Sequence, residues 1–251
     1  MSSLLIVNAD DFGLCRAVNY GIIESHRNGV VHSTTAMMNM PAISDAAKLS
    51  HDYPNLAVGM HFVLTAGKPF SLMPSLCRDG LLGKWLWDID TNELPLNEIE
   101  EELNQQYQKF IEVFGRKPSH IDSHHHVHMI EGVFPIIVNF AQEKGIALRV
   151  DRQLEKNWPP LSYQVASTDS FSSEFYGDKI SESLFLQILD EAKLHGNRSI
   201  EIMSHPAFID NALLKSNYAY PRLNELEVLT SENLKMRILE RGFKIGSYRD
   251  I

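Results

Sequence analysis

Two hydrophobic periods alternate along this chain. Short runs rich in aliphatic and β-branched residues are followed by longer stretches in which apolar residues return at i+3 and i+4. The first run, residues 4–10, is apolar on both faces and fits a strand of a parallel sheet covered by helices. A helix is expected over 16–28, with Val18, Ile22 and Ile23 on one stripe and Gly29 as its stop. Strands follow at 30–38 and 56–64, with a short helix over 43–49 between them. Residues 65–96 show neither period; they carry glycines, prolines, Trp85 and Trp87, and a connection this long tends to be functional. An acidic amphipathic helix covers 97–114, its face marked by Ile99, Leu103, Tyr107, Phe110 and Phe114. Further strands are expected at 120–127, 146–150, 163–168, 199–203 and 243–248, and helices at 133–143, 182–194 and 225–241. Trp158-Pro159-Pro160 makes the link between 150 and 163 too proline-broken for a regular helix. The alternation predicts an α/β protein: a distorted (β/α) TIM-like barrel forming a single domain over 1–251, with an open doubly wound sheet as the alternative.

Composition narrows the setting. The chain has 251 residues, 44% hydrophobic and 22% charged, as in an ordinary globular protein. Its net charge of −9 is dispersed, which argues against a nucleic-acid partner. Cys15 and Cys77 are too few for a disulfide framework, so a reducing, cytoplasmic location is expected. No apolar run approaches the roughly 18–20 residues of a membrane span, and the first strand starts too early to leave room for a leader. A homodimer is compatible with the sequence.

Candidate chemistry collects at strand ends. Asp10-Asp11 closes the first strand, and adjacent carboxylates repel each other unless a positive partner neutralises one. His61, the run Ser123-His124-His125-His126-Val127-His128, Arg149 and Ser204-His205-Pro206 lie at or near the ends of other strands, and a barrel gathers such ends on one face. Alone, each element has an ordinary reading: Asp-Asp as a cap or turn, the histidines as a loop, Arg149 as a surface charge. Together they suggest a metal-dependent hydrolase, with one Asp binding the ion and the other moving protons. If 120–127 is extended, Asp122, His124, His126 and His128 share a face and His125 points away. Asp122 is then placed to orient a ligating imidazole through its other nitrogen. A two-His, one-carboxylate set suits Mg²⁺, Zn²⁺, Mn²⁺, Co²⁺ or Fe²⁺. A phosphoesterase or another amidohydrolase on a small substrate is the alternative enzyme, and a metal-binding module without activity is a third reading.

Val7-Asn8-Ala9-Asp10-Asp11-Phe12-Gly13, Gly59-Met60-His61-Phe62, Asp122-Ser123-His124-His125-His126-Val127-His128 and Ser204-His205-Pro206 resemble the YdjC-like carbohydrate deacetylases, and within them the chitooligosaccharide (chitobiose) deacetylases. The likeness runs to Gly246-Ser247-Tyr248-Arg249-Asp250, essentially the whole chain. It implies a distorted (β/α) barrel and removal of an N-acetyl group from diacetylchitobiose or triacetylchitotriose in chitin and chitobiose catabolism. One divalent ion is implied, Mg²⁺ first and Zn²⁺, Mn²⁺ or Co²⁺ otherwise, on Asp11, His61 and His124. His124 is chosen because relatives often carry Gln at the place of His125. By analogy with polysaccharide deacetylases, Asp10 is the base and His205 assists the leaving group. Arg149 is placed to orient Asp10 or to bind a sugar hydroxyl, and Trp85, Trp87, Phe175 and Tyr176 are candidate sugar platforms, with Arg149, Trp85 and Tyr176 the chosen substrate contacts.

Overall fold

In a computed structural model that describes residues 2–155 and 165–251, the chain winds as a parallel sheet wrapped by helices. The order is β1 (Ser3–Phe12), α1 (Arg16–Arg27), β2 (Ser33–Ala36), α2 (Ile43–Asp52), β3 (Ala57–Phe62), α3 (Leu96–Phe114), β4 (His120–Ser123) and α4 (Phe134–Lys144). Then come β5 (Ala147–Leu148), α5 (Arg152–Glu155), β6 (Ser170–Ser172), α6 (Glu182–Leu194), β7 (Ser199–Ser204), α7 (Pro221–Leu229), α8 (Glu232–Glu240) and β8 (Phe243–Gly246). The hydrogen-bonded order is β5-β4-β3-β2-β1-β7-β6, with β8 also on β1. Strand β7 pairs β1 over Leu4 to Ala9. The opposite edge is divided: β8 takes Ser3 to Ile6, and β2 takes Asn8 onward. Between β5 and β6 the wall is bridged by the Leu148 N–H donating to the Ala166 carbonyl at 2.9 Å. This is a distorted (β/α) half-barrel with every strand running the same way, so all carboxyl ends open on one face.

Three expected elements take a different form. The strand predicted over 120–127 ends at Ser123, because His125 and His126 adopt left-handed backbone (φ 56° and 55°) and turn the chain. The single helix expected over 225–241 is two, broken at Thr230, with Ser231 capping the second by accepting the Leu234 N–H. The strand expected over 163–168 is replaced among the described residues by β6 at Ser170–Ser172. Residues 163 and 164, and Trp158-Pro159-Pro160, lie outside the described residues. No helix among the described residues is long and apolar enough to cross a membrane.

Strand alternation sorts β1. Leu5, Val7 and Ala9 pack into the main core beneath the helices, while Ile6 packs across the barrel with Ala147 and Tyr248. Asn8 and Asp10, in phase with Ile6, therefore face the interior, where a polar core begins. The Asn8 Nδ2 donates to Asp10 Oδ1 at 2.8 Å, and His120 Nε2 lies 3.0 Å from Asn8 Oδ1. The His120 ring stacks on Tyr248 at 3.8 Å. Gly59 makes room for this ring, since a Cβ there would fall 2.5 Å from it.

Burial keeps His120 and His128 neutral, pushing both down to about 3. The unfolded chain then binds more protons than the folded one between its histidine pKa of about 6.5 and about 3. Their stabilising contribution is complete above that window and falls away as the pH drops through it. The urea midpoint is expected to decline from pH 6.5 to 4.5, before most carboxylates titrate, and His120→Asn should flatten the decline. Equal slopes for wild type and variant would contradict it.

Candidate metal centre and active site

A cavity of about 680 Å³ opens at the carboxyl ends of the strands, lined in part by Asp10, Asp11, His61, His124, Tyr176, His205 and Arg222. Asp10 and Asp11 reach it together because β1 does not stay extended. Its register against β2 shifts between Ala9 and Phe12, and Asp11 takes a left-handed backbone with φ 71°. Such a conformation is rare for a residue with a Cβ but tolerated best by Asp and Asn. The two neighbours therefore present both carboxylates to one cavity, where a regular strand would send them to opposite faces.

Asp11 Oδ1 lies 3.4 Å from His61 Nε2 and 3.1 Å from His124 Nδ1, yet it has no hydrogen-bond partner. The three atoms belong to a group of potential ligands lying within 4.8 Å of one another. A buried carboxylate oxygen facing two imidazole nitrogens lacks only the positive charge between them. His61 is prepared for that role by its other edge. Its Nδ1 lies 2.7 Å from Asp122 Oδ1, and Thr35 Oγ1 donates to Asp122 Oδ2 at 3.0 Å. The carboxylate holds the Nδ1 proton and directs Nε2 at Asp11, where a bound cation would take the place of the Nε2 proton. Burial would lower His61, but Asp122, Asp11 and Asp10 outweigh it and raise it to about 10, the mark of a position that attracts positive charge.

A second group, Asp10, His61 and Asp122, is close enough to hold an ion but is already neutralised. Arg149 donates to Asp10 through Nη1 at 2.8 Å and Nη2 at 2.7 Å, to Glu201 at 2.7 and 2.9 Å, and lies 2.9 Å from Asp122. Tyr248 donates to the other Glu201 oxygen at 2.5 Å. Arg149 already takes both Asp10 oxygens and one of Asp122, whereas Asp11 keeps Oδ1 unpaired even though Arg222 donates to its Oδ2, so the donor set of Asp11, His61 and His124 fits a divalent ion and this one does not. Burial would raise Asp10, but Arg149 prevails and keeps it below the usual carboxylate range, hence ionised.

On the facing wall, His205 Nε2 is 4.0 Å from Asp10 Oδ2 and His205 Nδ1 is 3.8 Å from Glu225 Oε1. Glu225 also accepts the His205 backbone N–H and, at 2.7 Å, the Tyr218 hydroxyl. Burial drives the pair apart, His205 down to about 4 and Glu225 up to about 8. Gly21 on α1 lets this segment approach, since a Cβ there would lie 2.4 Å from Ala207 Cα and 2.8 Å from the Pro206 carbonyl. Gly21→Ala is expected to displace His205, lowering kcat and the melting temperature while metal content stays intact. A variant with wild-type melting and turnover would show that the contact yields without consequence.

The structure relocates several sequence expectations. Arg149 is fully buried among three carboxylates and has no face left for a sugar, so of its two expected roles the geometry is compatible with orienting Asp10. Trp85 does not line the cavity; its Nε1 donates to the Leu76 carbonyl at 2.7 Å and Arg78 covers its ring. Trp87 is exposed away from the cavity, and Phe175 is core, packed edge-on against Phe185. Tyr176 does line the cavity, stacked on Tyr218 at 4.0 Å. His124 meets Asp11 from a turn and not from a strand, so the face argument that favoured it over His125 does not apply; His125 bonds Thr65 at 2.8 Å. Three residues went unread: Arg222, which donates to Asp11 Oδ2 at 2.6 Å, Tyr218 and Glu225.

The family model described as YdjC-like protein matches residues 4–240. A crystal structure from Enterococcus faecalis, provisionally described as a cellobiose-phosphate cleavage protein, is similar with a TM-score of 0.93 and 35% identity, over 100% of this chain and 99% of that one. A deacetylase solved with substrate has a TM-score of 0.53 at 12% identity, with 99% and 89% covered. A family 4 carbohydrate esterase from Streptomyces lividans, in complex with acetate, has 0.50 at 10%, with 98% and 91% covered. At such identities the last two show a shared fold alone. The match over nearly the whole sequence and the close structural relative agree that this chain belongs to the YdjC-like family.

Proposed function

We propose that the protein hydrolyses an N-acetyl group from short chitooligosaccharides, with a divalent ion, Mg²⁺ first, held by Asp11, His61 and His124. The observation that carries this reading is a second ionised carboxylate, Asp10, beside the ligand set. Asp10 is ionised, fixed by Arg149, and spared from the ion. A storage or sensing site needs ligands but no such neighbour.

When bound, the ion would polarise the acetyl carbonyl and acidify water at its open positions. Asp10 accepts the proton as water adds to the carbonyl carbon, a role worth roughly 10²–10⁴ in rate. His205, kept neutral by burial, faces it from the other wall and passes its Nε2 proton to the nitrogen as the C–N bond breaks, while its Nδ1 takes up a proton from Glu225. Glu225, protonated near neutrality, holds the replacement proton 3.8 Å from His205 Nδ1, and product release returns Asp10 and Glu225 to their starting states by proton exchange with water. The Tyr176–Tyr218 stack offers an aromatic face to a sugar ring at the cavity wall. The products are acetate and a free amine.

The test is incubation of diacetylchitobiose and triacetylchitotriose with the protein and Mg²⁺, followed by mass spectrometry. Each sugar is expected to lose one acetyl group and to keep its glycosidic bonds. Intact sugars with each of Mg²⁺, Zn²⁺, Mn²⁺ and Co²⁺ would refute the proposal.

A further inference from the structure

Among the described residues, five buried side-chain atoms have no hydrogen-bond partner: Asp11 Oδ1, Asn39 Oδ1, Thr168 Oγ1, His205 Nδ1 and Arg222 Nη1. Three of them belong to residues lining the one cavity described above. In the proposed mechanism Asp11 Oδ1 would face the divalent ion, and His205 Nδ1, 3.8 Å from Glu225 Oε1, would take up a proton from it. Arg222 Nη1 remains. A buried, charged N–H without an acceptor is costly, and native structures keep few of them.

The rest of this guanidinium is held in place. Nη2 donates to Asp11 Oδ2 at 2.6 Å, Nε donates to the Tyr218 carbonyl at 2.9 Å, and the group lies 5.6 Å from the Tyr218 ring. Turning it to satisfy Nη1 would break both bonds. Tyr218 in turn is 5.8 Å from the His205 ring. Arg222 thus sits on the wall between the proposed ion ligand and the proposed leaving-group acid. The acetyl group carries no charge in the substrate, but its oxygen becomes negative during addition and leaves as carboxylate. A fixed cation at this place interacts more strongly with both later species than with the ground state.

We infer that Arg222 is a further catalytic residue, whose Nη1 donates to the acyl oxygen as it becomes negative and then to the product acetate. The inference rests on the deacetylase reading, and it separates Arg222 from a residue that merely supports Asp11.

The test uses the full chain loaded with Mg²⁺ and the variant Arg222→Lys, which keeps a positive charge near Asp11 and loses the second donor. Metal content is expected to be unchanged. On diacetylchitobiose, kcat should fall by about 10²-fold or more with KM within about threefold, the signature of a lost oxyanion donor. Acetate binding, followed by ¹³C line broadening without substrate, should weaken by an order of magnitude. Undiminished acetate binding or a wild-type kcat would overturn the inference, as would loss of metal. If Arg222→Lys does not fold, the wild-type protein stripped of metal decides: retained acetate binding supports the inference, and binding that vanishes with the metal overturns it. Should no sugar be deacetylated, the functional reading fails while the acetate measurement still judges Arg222.

Discussion

Asp10→Asn is expected to lower kcat by at least about 10²-fold while the protein keeps its metal. The substitution removes the basic oxygen and little volume. It is not innocent for the fold, however. Asp10 accepts two bonds from Arg149, and an amide would turn an N–H toward that fork. Removing one partner of a buried ion pair typically costs about 3–5 kcal/mol, so the variant should also melt earlier, and its rate must be referred to folded protein. Stopped assays at matched folded concentration, with metal determined by mass spectrometry, check both halves. A nearly active variant, or one as metal-free as Asp11→Ala, would place the base elsewhere.

The second large effect concerns the ion. Asp11→Ala, His61→Ala and His124→Ala are each expected to lose metal and activity together. Each loss should exceed the roughly 10–100-fold in affinity expected for an outer partner such as Asp122. Asp11 needs a further control, because its backbone is left-handed with φ 71°. Ala costs about 1–2 kcal/mol there, whereas Asn tolerates it. Asp11→Asn should therefore lose metal without that added loss of stability. His125→Gln should keep its metal, since His125 bonds Thr65 and is not among the converging ligand atoms. Crystals soaked in Mn²⁺ should show one anomalous peak beside Asp11 Oδ1, His61 Nε2 and His124 Nδ1. A peak beside Asp10 and Asp122, or metal loss from His125→Gln with retention in His124→Gln, would reverse the assignment.

Elements whose burial is set by local periodicity were legible. Helix α3 has a long apolar stripe and ends at Gly115 in a left-handed cap, and β1 opens on the apolar run Leu4 to Val7. The gathering of Asp10, Asp11, His61, Asp122 and His205 at one mouth follows from strand ends in a parallel barrel. What escaped depends on contacts between distant residues. The turn after Ser123 places two consecutive histidines in left-handed backbone, held by Ser123 accepting the His128 N–H at 2.9 Å and by Thr65 on His125. Nothing in a run of histidines signals that. Arg222 precedes the helix expected over 225–241 and Glu225 opens it; both lie on the short helix α7, and only packing against the barrel mouth buries them. The break between α7 and α8 did leave a sign, Ser231-Glu232 as a capping start, masked by the apolar stripe that continues through Leu234 and Ile238.

The most direct test of metal-dependent deacetylation is acetate released from diacetylchitobiose by protein treated with EDTA, as Mg²⁺, Zn²⁺, Mn²⁺ or Co²⁺ is titrated back. Acetate should be absent at the start and rise with bound metal, with saturation at about one ion per chain, the number the Asp11, His61 and His124 set can hold. Acetate release that ignores EDTA, or none with any of these ions, would contradict it.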